Sequence, residues 1–565
     1  MIHASKFVFR EHECRYGAFT PTWMLCSISL PLETLMLRTH LFILIALAPI
    51  AASAATNDTV RLDTGLISGV TGNSPEVRVY RGIPFAAPPV GDLRFRAPQA
   101  PAKWEGMRRA DQFGPMCMQG GAGGGRGGGK GPAKGPAKGP ATAAAMSEDC
   151  LYLNVWTAAT SSNDKRPVMV WLHPGGYTSG SGAAPGTDGE ALAKKGVVLV
   201  TINYRLGIFG FFSHPDLTRE SDRRGAANQA FLDQAAALQW VQRNIAAFGG
   251  DPKRVTVFGD SAGASSIGNL VASPLTKGTY QRAIAESGAW SGLSIGAIRK
   301  LAEAEQAGIR TAEMLGAKSL ADLRAKPAAE VLAGGRGGGP VVDGWFLPDE
   351  PAAIFAQGKQ NDVPILVGSN KDEGTFFSQP TTAAAWTQRA KQRYGDMADP
   401  FLKLYPAASD AEANASELAA FRDELGWVQR NWARLQSKTG KSKAYLYYFA
   451  HEPPATPGAQ PSPDGFPARG AGATHGAEAS YIFENLLGNR PWADLDRKLS
   501  DTVSSYWVNF AINGDPNGKN LPKWTPFDDK KNTRMVLGDV VETGPGLTPA
   551  QVEFFQAWYN KQTTR

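Results

Sequence analysis

VTVFGDSAGASSIGNLVAS, residues 255–273, decides how this chain is read. Val255–Phe258 is a short apolar, β-branched run, and SIGNLVAS has the character of a helix. Between them stands Gly259-Asp260-Ser261-Ala262-Gly263. A serine in G-x-S-x-G between a strand and a helix sits on a sharp turn that exposes its hydroxyl, and the following amide faces developing negative charge. The motif alone is weak in a chain with 63 glycines, and a second match, Gly292-Leu-Ser294-Ile-Gly296, lies close by. No apolar run precedes Ser294, so Ser261 is the expected nucleophile.

The pattern continues on both sides. Val168–Leu172, Val197–Ile202, Pro364–Gly368 and Ala444–Phe449 read as buried strands. Asn228–Phe248 and Leu499–Asn513 carry helical spacing. Strands alternating with long helices predict an α/β fold, a largely parallel sheet covered on both faces.

A serine hydroxyl needs a base to take its proton. His173 lies in a glycine loop and His214 before a proline. His451 ends a strand and is the second candidate. His475, in Gly472-Ala-Thr-His475-Gly476, lies late in a small-residue loop. In α/β-hydrolases the chain order is serine, acid, histidine, and His475 leaves room for an acid in between. Asn370-Lys-Asp372-Glu373-Gly374 follows the strand PILVG and supplies two carboxylates that spacing cannot separate. His173-Pro-Gly175-Gly176-Tyr177 follows VMVWL; its glycines let backbone amides approach a substrate oxygen, and with the amide of Ala262 they predict an oxyanion hole.

The rest of the chain bounds the class. Met36–His40 is short and basic, Leu41–Ile50 is apolar, and Ala-Ala-Ser-Ala at 51–54 completes a leader with cleavage near Ala54. Residues 1–54 are thus expected as an upstream extension plus signal peptide with the true start at Met36, and 55–565 as one catalytic domain. The protein is expected to be secreted or periplasmic, with no stable membrane span after cleavage. Cys14 and Cys26 fall in the discarded part; Cys117 and Cys150 are an even pair in an exported chain and are expected to bond. Residues 119–145, rich in Gly, Pro and Lys, have no hydrophobic period and form a flexible loop within that ring. The net charge is +7, but Arg126, Lys130, Lys134 and Lys138 all lie in this tract. A nearly neutral body excludes the basic stripe of a nucleic-acid binder.

Taken together, several stretches make the chain resemble a type-B carboxylesterase, the family of bacterial para-nitrobenzyl esterases and cholinesterases. They are YRGIPFAAPPVGDLRF (80–95), SEDCLYLNVW (147–156), HPGGYTSGSG (173–182), NYRLGIFGF (203–211), LDQAAALQWVQRNIAAFGGDPKRVTVFGDSAGA (232–264), PVVDGWFLP (340–348), NKDEGTF (370–376), THGAE (474–478) and WVNFAINGDPNG (507–518). The resemblance implies an α/β-hydrolase with helical and loop insertions forming a gorge. It implies a triad of Ser261, Glu373 and His475, with Gly175, Gly176 and Ala262 as oxyanion donors. It supports the Cys117–Cys150 bridge and implies ester hydrolysis through an acyl-enzyme. Three departures stand out. His-Pro-Gly-Gly replaces the commoner His-Gly-Gly-Gly, the glycine-lysine tract enlarges the disulfide loop, and Asp260 stands where the family usually has Glu. Asp260 is expected either to anchor the turn or to hold the histidine cation. Trp290, Phe209, Phe376 and Phe377 are pocket candidates. The expected partner is a small-molecule ester, with no cofactor or metal, and the chain is expected as a monomer or weak dimer. A specialised esterase for a bulky aromatic, toxin or polymer ester and a non-catalytic binding protein are the alternatives.

Overall fold

The apolar runs build the middle of one large sheet. The computed structural model describes residues 58–120, 145–221, 226–289, 298–335, 337–455, 457–458, 466–488 and 490–563. The leader reading at 1–54, most of the glycine-lysine tract, Ser294 and Trp290 lie outside these residues. In chain order the strands are β1 (Val70–Thr71), β2 (Arg78–Pro84), β3 (Tyr152–Thr157), β4 (Arg166–Leu172), β5 (Val198–Ile202), β6 (Gly250–Asp260), β7 (Arg282–Glu286), β8 (Ile365–Asn370), β9 (Ala444–Phe449), β10 (Thr533–Leu537) and β11 (Val541–Pro545). Their spatial order is β11-β10-β9-β8-β7-β6-β4-β5-β3-β2-β1. From β5 to β10 every pairing is parallel. Antiparallel strands close both edges. Thr59–Arg61, Leu66–Ser68 and Met107–Arg109 make a separate small sheet.

Both faces of the central strands are buried, which is why they read as continuous apolar runs. Val168, Val170 and Leu172 of β4 face one core with α1 (Gln229–Asn244) and α2 (Ala262–Ala272). Met169 and Trp171 face a second core with α4 (Asp494–Asn513). A 30-residue helix, α3 (Asp410–Thr439), also sends Trp432, Ala433 and Leu435 into the first core.

Two buried tethers fix what surrounds the sheet. Arg205 donates from Nε and Nη2 to Asp233 of α1 at 2.8 and 2.7 Å. Their side chains are 3% and 0% exposed. Cys117 and Cys150 are disulfide-bonded, with Cα atoms 4.9 Å apart. Met116–Cys117 pairs with Met146–Ser147, so both ends of the glycine-lysine tract are held together. No helix among the described residues is long and apolar enough to cross a membrane.

Candidate active site

In an open parallel sheet, loops converge at the carboxyl ends of the strands. Here β4 leads into His173–Gly176, β6 into Ser261, β7 into Ser287, and β8 into Asp372 and Glu373. Ser261 has φ 58° and ψ −116°, a strained conformation for a residue with a side chain. The strain is enforced by close packing. A Cβ built on Gly263 would lie 2.0 Å from the Leu172 carbonyl oxygen, and one on Gly259 would lie 2.5 Å from it. The Ser261 amide donates to the Glu286 carbonyl at 2.8 Å, locking the elbow to β7.

The acid-histidine pair is fully formed. His475 Nδ1 lies 2.6 Å from Glu373 Oε2, and Glu373 Oε1 accepts the Asn370 amide at 2.9 Å. The other carboxylate of the turn does different work. Asp372 Oδ2 accepts the Ala473 amide at 2.8 Å and pins the histidine loop. The two carboxylates thus differ in their contacts: Glu373 touches the imidazole, and Asp372 holds its loop. His475 Nε2 is buried and has no hydrogen-bond partner among the described residues. Its loop meets the elbow, since a Cβ on Gly476 would stand 3.0 Å from Asp260 Oδ2.

His451, the second candidate base, is committed elsewhere. It is held between Asp539 at 2.6 Å and Asp496 at 2.9 Å. His173 stacks on Tyr204 at 4.2 Å, and Tyr204 donates to the His173 carbonyl at 2.6 Å. Burial pulls its pKa down to about 4, so it is neutral and structural. Gly175 and Gly176 have φ 121° and 60°. A side chain on Gly175 would strike the Ser179 carbonyl at 2.0 Å. Among the described residues, the amides of Gly175, Gly176 and Ala262 make no hydrogen bond. Gln119 exchanges two hydrogen bonds with Gly180, tying the disulfide loop to the glycine loop.

Beneath the histidine lies a layer of acids that composition does not reveal. Asp260, Glu286, Glu373 and Glu478 are all buried. Glu478 accepts from Ser287 at 3.2 Å, from Tyr447 at 3.1 Å and from Asn370. Glu286 Oε1 accepts the Trp507 indole N–H at 2.7 Å, while its Oε2 has no partner. Burial drives Asp260 and Glu286 well above the usual carboxylate range, His475 opposing the rise at Asp260 and neighbouring acids adding to both, and it raises Glu478 too. Asp260 Oδ1 has no hydrogen-bond partner, while its carboxylate takes a hydrogen bond from the Ser261 backbone, which ties it to the elbow. For His475, burial lowers the pKa, but Glu373 first and Asp260 next outweigh it and carry it to about 9. The Asp260 share of that rise is present only while Asp260 is ionised. When Asp260 is neutral, Glu373 and then Glu478 are the influences that still raise His475, and it titrates lower. Sequence patterning marks neither Glu286 nor Glu478 as part of the site. Glu478 closes the quoted stretch THGAE, and Glu286 follows a strand-like run, but nothing local marks either as buried.

The aromatic candidates separate. Phe376 and Phe377 lie with ring centroids 5.6 and 4.6 Å from His475. Phe209 instead packs in a buried cluster with Phe95, Ile208 and Phe212. Among the described residues no group of three or more His, Cys, Asp or Glu could hold a metal ion.

The model of the carboxylesterase family matches residues 56–555. Fumonisin B1 esterase of Sphingopyxis macrogoltabida is 36% identical, covering 95% of this chain and 98% of its own. Para-nitrobenzyl esterase of Bacillus subtilis is 33% identical, covering 85% and 95%. A solved PNB esterase structure superposes with a TM-score of 0.72 at 31% identity, covering 88% of this chain and all of that one.

Proposed function

The chain belongs to the carboxylesterase family and is a carboxylic-ester hydrolase, and we propose that it works as a serine esterase through an acyl-enzyme. The observation that carries this is His475, gripped by Glu373 at 2.6 Å on one nitrogen and unpartnered on the other, with its loop against the strained Ser261 elbow. Ser261 Oγ attacks the ester carbonyl as Nε2 takes its proton. The amides of Gly175, Gly176 and Ala262 stabilise the oxyanion. Collapse breaks the bond to the alcohol oxygen, which leaves with the proton from His475. Water, deprotonated by the same nitrogen, then attacks the acyl carbon, and the proton returns to Ser261 as the acid departs. Glu373 fixes the tautomer and offsets the imidazolium charge.

The working enzyme in this reading is a single catalytic domain, 55–565, exported after loss of residues 1–54. Two observations favour a bulky substrate: the exposed Phe376 and Phe377 beside His475, and the relative named for fumonisin B1. A purely binding role has little support, because every member of the catalytic set is present. Ser261→Ala should abolish hydrolysis of p-nitrophenyl butyrate and labelling by an organophosphate. Wild-type turnover by that variant would refute the assignment.

A further inference from the structure

One positive charge at the site has no role in the chemistry above. Arg469 lies six residues before His475 on the same loop. Its backbone is built in: Gly470 donates to the Thr375 carbonyl at 3.2 Å, and Thr375 Oγ1 donates to the Ala471 carbonyl at 2.9 Å. Its guanidinium carbon lies 4.6 Å from the centre of the Phe376 ring, and that ring lies 5.6 Å from His475. Phe376 and Phe377 are 37% and 41% exposed, so large apolar rings beside the imidazole are left open to solvent. Arg469 is itself exposed and has no carboxylate within ion-pair distance among the described residues. Arg422, beside the Phe421 whose ring stacks on Phe377, is by contrast paired with Asp423, and Arg389 and Arg393 are paired with Glu417 and Glu424.

We propose that Arg469, stacked on Phe376, selects esters whose leaving alcohol carries a carboxylate; this rests on the serine-esterase reading. A guanidinium lying on a ring keeps its N–H edge free, and that edge matches a carboxylate with two parallel hydrogen bonds. The same stacking occupies one face of Phe376 with positive charge and so disfavours cationic substrates there. The side is set by chemistry. His475 Nε2 returns its proton to the departing alcohol, so groups packed on the imidazole flank the alcohol. The aromatic rings receive the body of that alcohol, and Arg469 receives its charge one ring further out.

The test compares kcat/KM for two acetates with nearly the same leaving phenol, that of 4-hydroxyphenylpropionate and that of its carboxamide. Their ratio cancels any loss of folded enzyme. Wild type should prefer the carboxylate about tenfold, the scale of one charge-assisted pair at a partly exposed site. Raising the salt should shrink the preference. Arg469→Gln should bring the ratio near one, Arg469→Lys should keep part of it, and Arg469→Glu should invert it. An unchanged ratio in Arg469→Gln, with both esters hydrolysed, overturns this inference and leaves the esterase reading standing. An effect confined to an acyl-side pair, mono-4-nitrophenyl glutarate against 4-nitrophenyl butyrate, overturns the placement at the alcohol. Failure of wild type to hydrolyse any of the four esters overturns the esterase reading and the inference with it.

Discussion

Glu373→Gln separates two carboxylates that are neighbours in sequence. Glu373 is fully buried and bonded to His475 Nδ1 at 2.6 Å. The amide removes the charge that stabilises the imidazolium and lets the ring adopt the tautomer with its proton on Nε2, where it cannot act as base. In serine proteases the matching acid-to-amide change lowers kcat about 10⁴-fold, which is about 5.4 kcal/mol of transition-state stabilisation. A loss of about 10³- to 10⁴-fold is expected here on p-nitrophenyl butyrate. The pH profile carries a second, independent signal. The base works when neutral, so the acid limb of kcat/KM follows the His475 pKa. Burial alone lowers that pKa from 6.5, and Glu373 is the largest influence raising it. In Glu373→Gln the acid limb therefore moves to lower pH. Asp372→Asn is the control. It weakens one half-buried hydrogen bond to Ala473, about 1 kcal/mol, and should cost less than tenfold in kcat with the limb unmoved. A larger loss in Asp372→Asn than in Glu373→Gln, or an acid limb that stays put in Glu373→Gln, would refute the assignment.

Asp233→Asn leaves the Arg205 guanidinium buried without its counter-charge. Urea denaturation should show a loss of about 3–5 kcal/mol, and a loss below about 1 kcal/mol would mean water or relaxation reaches that site. Gly263→Ala drives a methyl toward the Leu172 carbonyl, which leads into the glycine loop. A kcat decrease of about 10²-fold is expected from the displaced elbow and oxyanion donors, while Gly186→Ala, with nothing within 4 Å of the added carbon, should behave as wild type.

Much of this site is legible in the chain because its parts are local. A buried strand, a tight turn and a helix must be contiguous to form the elbow, so Ser261 announces itself through Val255–Phe258 before it and the small residues after it. The glycine loop does the same, because Gly175 and Gly176 need backbone shapes that side chains resist. The sheet's parallel centre is equally plain, since strands buried on both faces lose their polar alternation. Its antiparallel edges are not, because Val70–Thr71 and Val541–Pro545 are short and half exposed, and their pairing is decided by what the chain packs against.

The acid layer is the hard case, and physics says why. Burying a carboxyl costs several kcal/mol unless it is neutralised or bonded, so an acidic residue in a sequence is read as surface by default. Glu286 and Glu478 escape that rule through partners far along the chain: Trp507 for the first, Ser287, Asn370 and Tyr447 for the second. None of these pairings has a spacing that could be recognised beforehand. They also change the meaning of Asp260. A shorter acid before the nucleophile, unpartnered at Oδ1 and crowded by like groups, is pushed by burial toward its neutral form against the pull of His475. In that form it does not hold the histidine cation. On that reasoning Asp260→Asn should leave the acid limb of the kcat/KM profile in place, whereas Asp260→Glu should move it only if the longer side chain reaches a donor and ionises. An acid limb that falls in Asp260→Asn as far as in Glu373→Gln would show Asp260 charged, and the neutral acid layer would have to be abandoned.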